Sequence, residues 1–290
     1  MLTAAMVSAM LAGCGSKNAE TQSAADTTAE SAASGDETSA DTQAADAETT
    51  DAETTDASKT DGTFTVGFDQ DFPPMGFVGD DGEFTGFDLE MAAEVAKRLN
   101  LTIVYQPIAW DAKDMELDAG TIDCIWNGFT MNGREDDYEW SKPYMKNNQV
   151  FVVRGDSDIN SEADLAGKNV EVQTDSSAEA ALNDNSELTS TFGSLTPVAD
   201  YNTAFMDLES GAVDAIAMDD VVASYQITSR KADFKVLDDV IAAEEYGIGF
   251  KKGNTGLRDK VQATLEEMAA DGTAAKISEK WFGKDITTIQ

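Results

Sequence analysis

From Thr63 onward the apolar positions of the chain change period repeatedly. Phe64-Thr65-Val66-Gly67-Phe68 reads as a strand, whereas residues 88–99 set Leu89, Ala92, Ala93, Val95, Ala96 and Leu99 along one helical stripe that stops at Asn100. Further strand signals lie at residues 101–105, 122–126, 150–154, 169–173, 213–218 and 247–251, with helix-like segments between most of them. Strands alternating with helices predict an α/β fold with a largely parallel sheet, in which ligands bind beyond the carboxyl ends of the strands.

One segment recurs. Leu117-Asp118-Ala119-Gly120-Thr121-Ile122-Asp123-Cys124-Ile125 matches Leu208-Glu209-Ser210-Gly211-Ala212-Val213-Asp214-Ala215-Ile216 at a spacing of 91 residues. Each copy predicts a helix closed by a C-cap glycine and a buried strand starting within three residues. The repeat suggests two similar lobes, whose strands deliver Trp126-Asn127-Gly128 and Met218-Asp219-Asp220 to a shared cleft.

The first 62 residues follow neither period. Residues 1–10 are an apolar run too short to span a bilayer, followed by Leu11-Ala12-Gly13-Cys14-Gly15. This resembles the lipobox of bacterial lipoproteins, in which Cys14 becomes the lipidated N-terminus. The Lys/Arg-rich region usual in such leaders is missing from residues 1–10. Residues 15–62 carry 12 acids against Lys17 and Lys59 and no aromatic residue, so they cannot bury a core. Residues 1–14 are therefore expected to be a signal peptide with lipobox, and residues 15–62 a solvated acidic tether reaching roughly 40 Å.

Composition narrows the chemistry. The whole chain has 55 acids and 20 bases, and removing the tail's share leaves 43 acids and 18 bases, a net charge of −25. That balance excludes a phosphate-backbone binder, which needs clustered Lys and Arg. There is no histidine, so His-based triads, His–metal sites and imidazole acid/base work are excluded. Asp69 and Asp71, with Asp80-Asp81 nearby, lack the order of a calcium loop and read as surface acids. No nucleotide-binding glycine fingerprint occurs, no cofactor is expected, and Cys124 reads as a small buried residue.

Across residues 63–290 a set of short motifs appears in fixed order: Phe72-Pro73-Pro74, Gly86-Phe87-Asp88-Leu89-Glu90, Gly128-Phe129-Thr130 with Arg134, Asp164-Leu165-Ala166-Gly167-Lys168, Tyr246-Gly247-Ile248-Gly249-Phe250, Asp271-Gly272-Thr273 and Trp281-Phe282-Gly283. In this order the chain resembles the bacterial extracellular solute-binding proteins of polar amino-acid ABC transporters. The resemblance implies two α/β lobes of the type II periplasmic-binding-protein kind, joined by two crossing strands near residues 149–154 and 245–251. Lobe 1 is expected over about 63–150 and 250–290, and lobe 2 over about 151–249.

Binding an amino acid requires a fork for its carboxylate and acceptors for its ammonium. Arg134, one of five arginines, is the candidate fork, and Ser176 and Ser177, at an expected helix start, offer backbone N–H groups. The competing readings are a surface arginine balancing Glu135-Asp136-Asp137 and simple helix capping. The resemblance adds Asp219, Thr130 and the Gly128 carbonyl around the ammonium, with Asn127 beside them. It places Phe72 and Trp110 about the side chain, Asp69 at its polar end and Gln173 at a position that tunes specificity. Phe72 and Trp110 also read as core, and Asp219 with Asp220 as a helix cap. Family members usually space Gly-x-Thr-x-x-x-x-Arg, whereas here Thr130 and Arg134 stand one residue closer.

The expected function is therefore the substrate-binding component of an amino-acid ABC importer. It is not an enzyme, takes a polar amino acid (basic, or glutamine- or cystine-like) and closes its lobes upon it. A monomer is expected, tethered by lipid to the extracellular or periplasmic side of the membrane and partnered by a permease. The alternative is a dehydratase of prephenate-like substrates on the same scaffold, which would need a general acid in the cleft.

Overall fold

The computed structural model describes residues 62–290, so the expected leader, Cys14 and all of the acidic tether before residue 62 lie outside the described residues. Strand β1 (Thr63–Phe68) leads into a small antiparallel sheet of β2 (Asp71–Phe72), β3 (Gly76–Val78) and β4 (Phe84–Thr85). Helix α1 (Phe87–Arg98), β5 (Thr102–Pro107), α2 (Lys113–Ala119), β6 (Cys124–Thr130), β7 (Glu139–Trp140) and the long β8 (Met145–Arg154) follow. The second lobe contains β9 (Asn169–Gln173), α3 (Ser177–Asp184), α4 (Ser186–Thr189), β10 (Ser194–Val198), α5 (Tyr201–Ser210), β11 (Ala215–Asp219) and α6 (Asp220–Arg230). The 17-residue β12 (Phe234–Phe250) returns to the first lobe, which α7 (Thr255–Ala270) and α8 (Thr273–Phe282) complete.

The repeat closes both of its helices alike: Gly120 and Gly211 sit in the left-handed region at φ 70° and 80°, where a side chain would be strained. Helix α1 buries Phe87, Leu89, Met91, Ala92, Val95 and Ala96 along one stripe. Its exposed edge is tied to the C-terminal helices by Lys280 Nζ to Glu90 (2.6 Å), Trp281 Nε1 to Glu90 (2.5 Å) and Arg98 to Asp271 (2.8 Å). Cys124 is a buried free thiol, and burial pushes its pKa up.

The main sheet departs from the largely parallel expectation. Its path is β10-β9-β11-β8-β12-β6-β1-β5, and pairing is parallel only within the outer trios β10-β9-β11 and β6-β1-β5. The central strands β8 and β12 run antiparallel to each other and to their neighbours β11 and β6. They are the two connections between lobes, and they are longer than the expected 149–154 and 245–251. β8 begins at Met145 and β12 at Phe234, because they pair with each other from Met145–Tyr246 to Arg154–Phe234. Register shifts between Val236 and Val240 and between Val240 and Ala242 interrupt this ladder.

Candidate functional site

Each lobe presents the carboxyl ends of its parallel strands to the cleft. At the end of β1, Asp69 donates its N–H to Asn127 Oδ1 (3.1 Å), accepts the Asp71 N–H on Oδ1 (2.8 Å) and accepts Gln173 Nε2 on Oδ2 (2.7 Å). It is buried rather than a surface acid, and desolvation raises its pKa to about 6.

Gly128 in β6 has φ +58°, and a Cβ there would lie 3.0 Å from the Phe72 ring and 3.2 Å from Tyr246. Its N–H donates to Asp88 Oδ2 (2.6 Å), which also accepts the Tyr144 hydroxyl (2.9 Å). Burial raises the Asp88 pKa to about 7. Asp88 thus fixes the glycine from behind.

The short Thr130–Arg134 spacing is absorbed by a turn. Gly133 takes φ +80° and the Arg134 N–H bonds the Met131 carbonyl (2.9 Å). The guanidinium lies over Phe129, 5.4 Å from the ring centre, and donates to the carbonyls of Thr130 (3.3 Å) and Asp175 (3.2 Å). Among the described residues it forms no ion pair with a carboxylate, so it does not balance Glu135, Asp136 or Asp137. Trp110 packs edge-on to Phe129 at 5.5 Å, and Phe72 packs in the core near Tyr201. Each is both core and cleft wall.

From the second lobe, Ser176 caps α3 by accepting the Glu179 N–H (3.1 Å), and Ser177 Oγ accepts from Gln149 Nε2 (3.0 Å). The first-turn N–H groups of α3 have no partner within the helix. Asp219 occupies the N-cap position of α6, yet its carboxylate makes no capping bond. Its Oδ1 instead accepts from Tyr246 (2.5 Å), Gln149 (2.8 Å) and Asn147 (2.9 Å). Burial first, then the neighbouring Glu244, holds its pKa well above the carboxylate range.

Ten of the eleven expected ligand residues line one cavity: Phe72, Trp110, Asn127, Gly128, Thr130, Arg134, Gln173, Ser176, Ser177 and Asp219. Asp69 is the exception. It stands behind Gln173 and lines an adjoining cavity of about 520 Å³ with Asp71, Trp110, Asp111 and Asp200. The first cavity leaves about 10 Å³ for the centre of a water molecule, room for about one water. The lobes are thus shut on each other. Their latches are Gln173 to Asp69, Thr130 to Ser177 (3.2 Å), Asn202 to Asp71 (2.8 Å) and the Lys113–Asp175 ion pair. Sequence reasoning missed Asp88, Lys113, Asn147, Gln149, Asp175 and Glu244. A signal existed for two of them: Asn147 and Gln149 alternate along β8 and so share one face.

The L-cystine-binding protein TcyJ of Escherichia coli (strain K12) is 34% identical over 228 residues, 78% of this chain and 84% of that protein. The L-cystine-binding protein TcyA of Bacillus subtilis (strain 168) is 32% identical, over 77% of this chain and 82% of that protein. Among solved structures, a substrate-binding protein of an ABC uptake transporter from Streptococcus pneumoniae with bound histidine superposes at TM-score 0.76, with 35% identity over 78% of this chain and 95% of that one. An ancestral arginine-binding protein bound to arginine reaches TM-score 0.71 with 36% identity, over 77% of this chain and 99% of that one. With the two-lobed fold, the cleft and the match over residues 64–284, the chain belongs to the bacterial extracellular solute-binding proteins, family 3.

Proposed function

We propose that this protein is the substrate-binding component of an amino-acid ABC importer, with Arg134 and the α3 N-terminus receiving the ligand carboxylate and Asp219 its ammonium. The observation that carries the reading is the convergence, in one closed cleft, of an arginine free of carboxylate partners and a buried carboxylate free of cations, one from each lobe. A zwitterion is the complement of that pair. Contacts from the second lobe form only on closure, so the ligand favours the shut state by its differential contacts. The side chain of the ligand is directed at Asp69 and its acidic cavity, which suits ammonium, guanidinium or amide ends. Relatives named for cystine and solved with histidine or arginine agree with that class.

The partner is a membrane permease, and lipid on Cys14 holds the monomer at the outer face of the membrane; loss of the protein from the membrane fraction on Cys14→Ser checks the anchor. Among the described residues no helix is long and apolar enough to cross a membrane. A calorimetric panel of the common amino acids with L-cystine tests the ligand class. Saturation by a true ligand at 1,000 times its Kd adds about 4 kcal/mol of stability. Basic amino acids and cystine should bind, and aspartate and glutamate worst. Stabilisation by none of them, or turnover of prephenate, would overturn the reading.

A further inference from the structure

The ammonium side of the cleft holds one acid more than an ammonium needs. Glu244 in β12 and Asp219 at the end of β11 are both buried, at 5% and 4% exposure. The two carboxyls meet on the same donors. Gln149 Nε2 lies 2.8 Å from Asp219 Oδ1 and 2.7 Å from Glu244 Oε1, and Asn147 Nδ2 lies 2.9 Å and 2.7 Å from the same two oxygens. Oxygens bridged twice in this way are close neighbours.

The groups bonded to them are neutral. Tyr246 of β12 donates to Asp219, Tyr201 of α5 lies within electrostatic reach of both acids, and Ser177 of α3 is bonded to Gln149. Arg134 lines the cavity with Asp219 but spends two of its N–H groups on the Thr130 and Asp175 carbonyls. Lys146, Asp220 and Glu245 share one outer groove with Glu244, and Arg134, Asp175, Glu179 and Asp184 share a second. Among the described residues neither acid ion-pairs with a lysine or arginine. Two adjacent buried carboxyls with no ion-paired cation do not both ionise.

We propose that Glu244 and Asp219 share one proton in the ligand-free protein, and that capture of an amino acid's ammonium displaces this proton to solvent, making Glu244 a positioning residue of the ammonium site and binding proton-linked. This rests on the amino-acid reading above. The charge balance is simple: the ammonium brings one positive charge to the pair, the shared hydrogen leaves as one proton, and no covalent bond other than that O–H is broken. The proton belongs to the pair rather than to either residue. Burial and the Glu244 charge, which hold the Asp219 pKa up, agree with this arrangement. The consequence has a definite sign. Below the midpoint of the ligand-free pair, each unit of acidification weakens binding up to tenfold, and above it affinity is flat.

Two measurements on the full chain test this. Carboxyl carbon NMR of the ligand-free protein should show, besides the raised steps of Asp69, Asp88 and Glu171, one further high step that vanishes or moves down in Glu244→Gln. Calorimetry with L-arginine and with L-cystine, in buffers of different ionisation enthalpy, should then count close to one proton released below that midpoint. In Glu244→Gln the count should fall and the pH profile flatten, whereas a purely structural Glu244 would weaken binding with the count unchanged. Ordinary titration of both carboxyls, or a wild-type count of zero, overturns the proposal. Should neither amino acid bind, the ligand reading fails, and the ligand-free titration still decides for or against the shared proton.

Discussion

Arg134 shows how much of this site hangs on single side chains. Its guanidinium is held flat by Phe129 and by two backbone carbonyls, leaving the rest of its fork for an incoming carboxylate. Arg134→Ala should therefore abolish amino-acid binding, a loss of roughly 2–5 kcal/mol by calorimetry, with the circular dichroism spectrum unchanged. In the proposed reading Asp69 faces the other end of the ligand. Its pKa of about 6 leaves it ionised at neutral pH, so it favours a cationic side chain there and loses that preference as the pH falls through 6. Asp69→Asn should weaken L-arginine by roughly 1–3 kcal/mol, the scale of a charged hydrogen bond, and scarcely change a small neutral amino acid. Equal losses for both would remove Asp69 from the side-chain site.

At the scale of elements, β9 carries a cost that can be measured. Its Glu171 is buried, and burial followed by the neighbouring Asp207 of α5 pushes its pKa up to about 7. A raised carboxyl binds more protons folded than unfolded, so its contribution to stability falls as pH rises from about 4.5 to 7. Glu171→Gln should gain about 1–3 kcal/mol at pH 8 and nothing at pH 4.5, as read from urea unfolding at the two pH values. Elements of this kind differ in how far the sequence declares them. The C-caps at Gly120 and Gly211 and the Ser176 cap were legible because each is a local rule about one residue and its turn. β12 was legible only at its apolar end. Asp238-Asp239 and Glu244-Glu245 break its alternation, and the strand is held by pairing with β8 some ninety positions earlier in the chain. The same distance hid Glu244: its meaning comes from Asn147 and Gln149 across that ladder, and no spacing along one strand reveals a cross-strand partner. Of the ten cavity residues, Phe72, Gly128, Thr130 and Arg134 lay in the ordered motifs, Asn127 and Asp219 at the strand ends of the repeat, and Ser176 and Ser177 at an expected helix start, whereas Trp110 and Gln173 came from the resemblance alone.

For the whole molecule, acid balance sets the response to pH. Asp69, Asp88 and Glu171, with pKa values raised to about 6, 7 and 7, take up protons in the folded state between pH 8 and pH 5. Acidification over that window also relieves the repulsion of a strongly negative chain. Below it the carboxyls held low by partners, such as Asp271 at about 2 beside Thr273 and Arg98, begin to lose those partners. The ligand-free protein should accordingly melt highest near pH 5, and a calorimetric Tm that climbs steadily to pH 8 would contradict this account. The path of the chain has a further effect, on biogenesis. α1 is covered by α7 and α8, whose residues follow everything in the second lobe. A chain emerging N-terminus first therefore finishes its second lobe before its first. Until residues 255–282 have emerged, the edge of α1 lacks its ties to Asp271, Lys280 and Trp281 and the first lobe is unfinished, so a partly emerged chain has only one completed cleft wall and holds no amino acid.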